Sequence, residues 1–197
     1  AGVLLAIFTF LFLETEYLFV NIMGTLSNSQ QAVRAQGIVL GTSVIGFLLY
    51  ALFYRIKSAA AKKVVTVMFP IVMAVCLFFL YEADSYAICL FVGCVVFVLL
   101  GLFGSALHYH ALFYVGRDSH LALLVGAAYA LGLLFQFICN NLVRSQMVQL
   151  IFVFILFAAT VYYLLMQKEA VEMELVAEGE KQEKITGLLL ILCILCM

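Results

Sequence analysis

Two carboxylates stand where carboxylates are expensive. Glu14 and Glu16 interrupt an apolar run between Phe12, Leu13 and Leu18, Phe19. At the centre of a bilayer a charge costs roughly 2.5–3.5 kcal/mol on insertion scales. Such a side chain is expected to face a water-filled cavity or a partner. A carboxyl that takes up and releases a proton as its side of access changes is what proton-coupled transport needs. Two positions along a helix is about 200°, so the two glutamates point to different faces. Glu14 shares a stripe with Tyr17 and Asn21, the favoured cavity lining; its plainer reading is a protonated structural hydrogen bonder. Glu16 shares its face with Thr9, Phe12 and Val20 and is the second candidate. Gln136, Asn140 and Asn141 cluster near the end of a later apolar run. They form either the mouth of a path or a headgroup contact. Thr42, Ser43 and Tyr50 are weaker wall candidates.

Other reactive residues carry less. His108 and His110 are two apart, which splays their rings on a helix and makes a poor metal clamp. With His120 they read as interfacial side chains, and no metal site is expected. All six cysteines lie in apolar runs and read as small hydrophobes. Cys193 and Cys196 have redox spacing but no thioredoxin-like pattern around them. No phosphate-binding glycine loop, dinucleotide fingerprint, catalytic triad or zinc-protease motif occurs, so neither an enzyme nor a cofactor is expected.

The elements that position these residues follow from composition. Of 197 residues, 67% are hydrophobic and only 11% charged, and the mean hydropathy is +1.21. A soluble globule of this size could not hide so much apolar surface. The solvent for most of the chain is therefore lipid. This excludes a soluble enzyme, a disulfide scaffold and a disordered protein. A net charge of −1 gives no steering field for nucleic acid. Continuous runs, without the alternation of barrel strands, predict helices. At roughly 20 residues per span, the spans fall at about 2–23, 36–54, 64–81, 86–107, 119–140 and 147–166. A partial seventh occupies 185–197, about two-thirds of a crossing at about 1.5 Å per residue. The fold class expected is an all-α polytopic transmembrane bundle of six spans plus a partial seventh. The first run carries acids and has no basic leader, so it does not read as a cleaved signal. Both ends read as cut from something longer.

Lysine and arginine set the orientation. Arg55, Lys57, Lys62, Lys63, Arg117, Lys168, Lys181 and Lys184 share one side, against Arg34 and Arg144 on the other. The crowded side is expected to be cytoplasmic, with the N-terminus inside. Residues 24–35 form a polar outer connection. Residues 167–184 hold six glutamates and three lysines and read as a charged cytoplasmic loop, either a surface helix or a disordered linker. The expected domains are thus a bundle over 1–166, that loop, and the start of a second membrane half. Small residues let helices approach in lipid. Gly37, Gly41 and Gly46, then Gly93, Gly101, Gly104 and Ser105, then Ala122, Gly126, Ala130 and Gly132 therefore predict that helices 2, 4 and 5 are crowded by protein. Helices 3 and 6 should face lipid.

This organisation resembles the N-terminal half of a major facilitator superfamily transporter. The local match is Gly101-Leu-Phe-Gly104-Ser-Ala, then Gly116-Arg117-Asp118, then Gly126 and Gly132, similar to the family's fourth helix, basic turn and glycine-rich fifth helix. Between helices 2 and 3 only Arg55 matches the family's Gly-x-x-x-Asp-Arg-x-Gly-Arg-Arg pattern. Its acid and both its glycines are missing. The resemblance implies a two-half transporter with helices 1, 2, 4 and 5 around a midplane site. It implies Arg55 and Arg117 at an inner gate, and a small-molecule substrate with protons as the candidate coupling ion. The implied partners are the lipid bilayer and a second six-helix half of the same chain, and the location is the cytoplasmic membrane. The rival reading is a transporter-like sensor attached to a cytoplasmic DNA-binding regulator.

Overall fold

The computed structural model describes residues 2–54, 59–115 and 121–178, and side chains over 2–52, 64–111 and 122–164. Every regular element among them is a helix: α1 (Gly2–Leu26), α2 (Ser29–Tyr54), α3 (Ala59–Tyr81), α4 (Tyr86–Val115), α5 (Leu121–Leu142) and α6 (Gln146–Glu178). All six are long and apolar enough to cross a membrane. Contacts divide the chain into a compact unit, Ala1–Thr160, and a second unit, Val161–Met197. In the second unit, α6 stays helical through Glu178, so the charged stretch begins as a continuation of the sixth helix. Residues 179–197, including the partial seventh run, lie outside the described residues.

Polar residues start the helices. Asn28 Oδ1 accepts from the Gln31 amide at 2.9 Å, and Gln31 Oε1 reaches back to the Asn28 amide at 3.4 Å. This reciprocal capping box satisfies two donors that lack intrahelical partners. It starts α2 at Ser29, seven residues before the apolar run that hydropathy detects, so the polar connection shrinks to Ser27 and Asn28. The Ser85 and Ser145 carbonyls accept the first helical bonds of α4 and α6.

In the first unit α4 lies at the centre, with α1 antiparallel and α2 parallel to it. The α2–α4 seam is backbone against backbone. A Cβ on Gly46 would collide with the Val98 carbonyl oxygen, and one on Gly101 with the Ser43 carbonyl oxygen. Along α1, Phe19 fills the space at Gly93 and Phe8 that at Gly104. Phe12 and Phe97 meet edge to face at 5.4 Å. α5 runs parallel to α1, with Gly132 against Thr9 and the Ala6 carbonyl. α6 contributes Phe157, 4.7 Å from Phe103 and 5.5 Å from Phe69.

The expectation about crowding needs correction for two helices. α3 does expose a lipid-suited face of Val67, Met68, Ile71, Val75 and Phe78, and α6 exposes Val148, Ile151 and Ile155. α2 and α5 expose comparable faces, through Ile45, Leu48 and Leu52, and through Leu134, Phe135 and Phe137. A Cβ at Gly37, Gly41 or Gly126 would meet nothing within 4 Å, and Ala130 is exposed. On α2 and α5 the contact glycines are on other faces than Gly37 and Gly126. Gly46 lies nine residues from Gly37, about half a turn round, and Gly132 lies about 120° from Gly126. Gly46, Gly93, Gly101, Gly104 and Gly132 are the glycines of the expected set that sit in close contact.

Candidate functional site

A cavity of about 270 Å³ opens between α1 and α5, lined by Phe8, Thr9, Phe12, Leu13, Tyr129 and Leu133. Four of its six lining residues lie on two consecutive turns of one broad face of α1. The Thr9 hydroxyl donates to the Leu5 carbonyl at 2.9 Å, and its methyl lies against Gly132. Aromatic rings hold the wall in place. Phe8 touches Phe12, Phe47, Phe103 and His108 at centroid distances of 5.4–6.4 Å.

At one end of the cavity is a polar pair. His108 Nδ1 donates to the Gly104 carbonyl at 2.7 Å. A carbonyl can only accept, so this bond fixes the tautomer of the neutral ring. Nε2 is then left to accept from the Tyr129 hydroxyl at 3.0 Å. The pair ties α4 to α5 beneath the cavity.

Glu16 is not a wall, but it lies beyond the cavity on the same face of α1. It stands seven residues after Thr9, within about 20° of it and about 10 Å further along the helix. Its Oε1 accepts from Gln36 Nε2 at 2.6 Å. Gln36 is on α2, one and a half to two turns in from the capping box. Arg34, two residues earlier, is on a different face of α2 and exposed.

Glu14 is elsewhere. It is fully buried and is not among the cavity walls. With its amide nitrogen turned to the carboxyl, Asn140 donates to both Glu14 oxygens at 3.1 Å. The Cys139 thiol hydrogen-bonds to the same carboxyl. Gln149 donates to the Val143 carbonyl at 2.8 Å and stands 3.5 Å from the Asn140 amide. These groups belong to the end of α5, the turn after it and the start of α6. The cluster therefore binds the α5–α6 turn to the middle of α1. The expected stripe of Glu14, Tyr17 and Asn21 does not line this cavity. Glu14 faces the α5–α6 turn, while Tyr17 is 39% exposed and Asn21 half-buried. The reason is length. α1 continues twelve residues past Glu14, about 18 Å, whereas α5 ends two residues past Asn140.

The remaining expected residues separate. Gln136 donates to the Leu13 carbonyl at 2.9 Å, joining α5 to α1 beside the Glu14 cluster. Asn141 bonds back to the Phe137 carbonyl and is exposed. Thr42 donates to the Val39 carbonyl at 2.7 Å and reaches the Cys94 carbonyl at 3.4 Å, a link within the α2–α4 seam. The Tyr50 ring is 6.1 Å from Tyr109. None of these is a cavity wall. Arg55 and Arg117 lie outside the described residues.

Gln36, Tyr129 and Gln149 carry no motif or spacing in the sequence that singles them out, and His108 and Cys139 read there as an interfacial side chain and a small hydrophobe. A lone amide or hydroxyl in an apolar run was the available signal, since polar groups in lipid seek partners. Among the described residues no group of three His, Cys, Asp or Glu side chains could hold a metal ion. No family model, no curated protein and no solved structure matches the chain.

Proposed function

We propose that this chain forms half of a secondary transporter of the major facilitator type. It would move a small solute by alternating access, in the cytoplasmic membrane and with the N-terminus inside. The observation that carries the reading is the cavity on the Thr9–Phe12 face of α1, bounded by α5, with Glu16 one turn beyond Phe12 on the same helix face. An opening among membrane helices with an acidic group one turn from its wall is what a solute path can use. Six apolar helices support the membrane setting. Glu16 with Gln36 is the lead solute or proton contact in this proposal, and Glu14 holds α5 and α6 in place. A second six-helix half would close the site.

The test is uptake by sealed vesicles containing the full-length protein, with and without an imposed proton gradient. Gradient-driven accumulation that Glu16→Gln abolishes, with the protein still inserted and folded, is the expected result. A chain that binds solute but never accumulates it would instead be a sensor, and the transport reading would be dropped.

A further inference from the structure

The chemistry around the cavity narrows the solute class. Its walls offer Phe8, Phe12 and Tyr129 rings and aliphatic Leu13 and Leu133. The hydroxyls nearby are committed, Thr9 to the Leu5 carbonyl and Tyr129 to His108. The cavity therefore has little to give a sugar or a peptide, which would arrive with donors and acceptors to satisfy. Charge is supplied by one group. Glu16 stands one turn beyond Phe12 and Leu13, about 5–6 Å along the helix. Its partner, Gln36, is neutral. Among the described residues no lysine or arginine pairs with it. At the other end, the His108–Tyr129 pair presents a ring already bonded at both nitrogens. Nothing there calls for an anion.

The geometry points to a small organic cation with an aromatic or aliphatic body as the ligand of this cavity. Its apolar body lies between Phe8, Phe12 and Leu133, and its positive end meets the Glu16 carboxylate. Aromatic faces attract cations in desolvated sites, and the carboxylate supplies the charge that the walls lack. About 270 Å³ is at the lower limit for a ligand pocket, so one ring with a compact ammonium group suits it. This identification rests on the transporter reading for its physiological meaning, but binding can be measured without any transport.

The probe is benzyltrimethylammonium, whose charge is permanent. Its uncharged isostere is neopentylbenzene, with carbon in place of nitrogen. Binding to the full-length protein in lipid nanodiscs is measured by calorimetry. The expected result is that the cation binds and the isostere binds at least about tenfold more weakly. Glu16→Gln should remove most of that difference, and Phe12→Ala should weaken the cation several-fold. Glu14→Gln serves as the comparison on the opposite face of α1 and should leave the preference for charge intact. Equal binding of the two probes would overturn the cation assignment while leaving an apolar cavity that transports something else. Binding of the cation with no loss in Glu16→Gln would overturn the role given to Glu16 and with it the proposal. Failure of the cation to bind the folded protein would overturn it as well. Uptake in vesicles, measured separately, decides the transporter reading whichever way the binding falls.

Discussion

The face of α1 that carries Glu14 and the face that carries Glu16 differ in what covers them. On the first, Asn140 and Cys139 saturate the carboxyl, and the α5–α6 turn closes over it. On the second, one amide reaches the carboxylate and the preceding turns of the helix border an open cavity. Two residues of sequence separate these environments. The same side chain thus serves as a clamp on one face and is left available on the other. The comparison extends to the helix pairs. The α2–α4 seam closes on glycines with backbone touching backbone, whereas the α1–α5 pair leaves a cavity between its aromatic and aliphatic side chains.

The largest effect is expected where closure is tightest. Gly101→Val should cost about 3 kcal/mol or more, because the atoms it meets are the backbone of α2 and cannot turn aside. Gly37→Val, on the open face of α2, should change stability by less than about 1 kcal/mol. Unfolding of both variants in mixed micelles checks this pair of values. A Gly101→Val protein as stable as the parent would mean that the seam is looser than described.

Glu14 comes next. Glu14→Ala leaves Asn140 and Cys139 facing an apolar void and should cost about 2–3 kcal/mol. Glu16→Ala, half-buried and with one partner, should cost less than about 1 kcal/mol. Because Glu14 and Asn140 act as a unit, the double variant with Asn140→Ala should fall short of the sum by about 1 kcal/mol. Additive losses would separate the two residues and return Glu14 to the cavity side of the comparison.

Much of this arrangement could be read from residue order, and the missing parts share a cause. Continuous apolar runs fix six helices, because only helices satisfy their own backbone in lipid. The 200° between the two glutamates also follows from helix geometry alone. Which of the two faces is covered does not. That depends on α5 stopping two residues after Asn140 while α1 runs on, and helix offsets are set by packing between segments far apart in sequence. The same holds for glycine. Gly37 and Gly41 have the spacing of a contact motif, yet Gly46 makes the contact, since a spacing identifies a face without saying what meets it. The start of α2 was legible in Asn28-x-x-Gln31, but a hydropathy window does not see a capping box. His108 and Tyr129 are twenty-one residues apart, and nothing local pairs them.

The smallest effect concerns the open face of α5. Gly126 has no neighbour within 4 Å of where a Cβ would sit, and Leu123, Leu134 and Phe137 beside it are exposed. Within the six-helix unit Gly126→Ala should therefore be neutral or stabilising by up to about 1 kcal/mol, through the better helix propensity of alanine. In a two-half transporter the same face is available to the second half, where small residues permit close approach. The variant then separates two roles that look alike in one unit. Unchanged thermal stability together with slowed uptake in vesicles would place Gly126 against a partner helix. Unchanged stability and unchanged uptake would leave this face to lipid, and the surface joining the halves would have to be sought on the exposed side of α2, at Gly37 and Gly41.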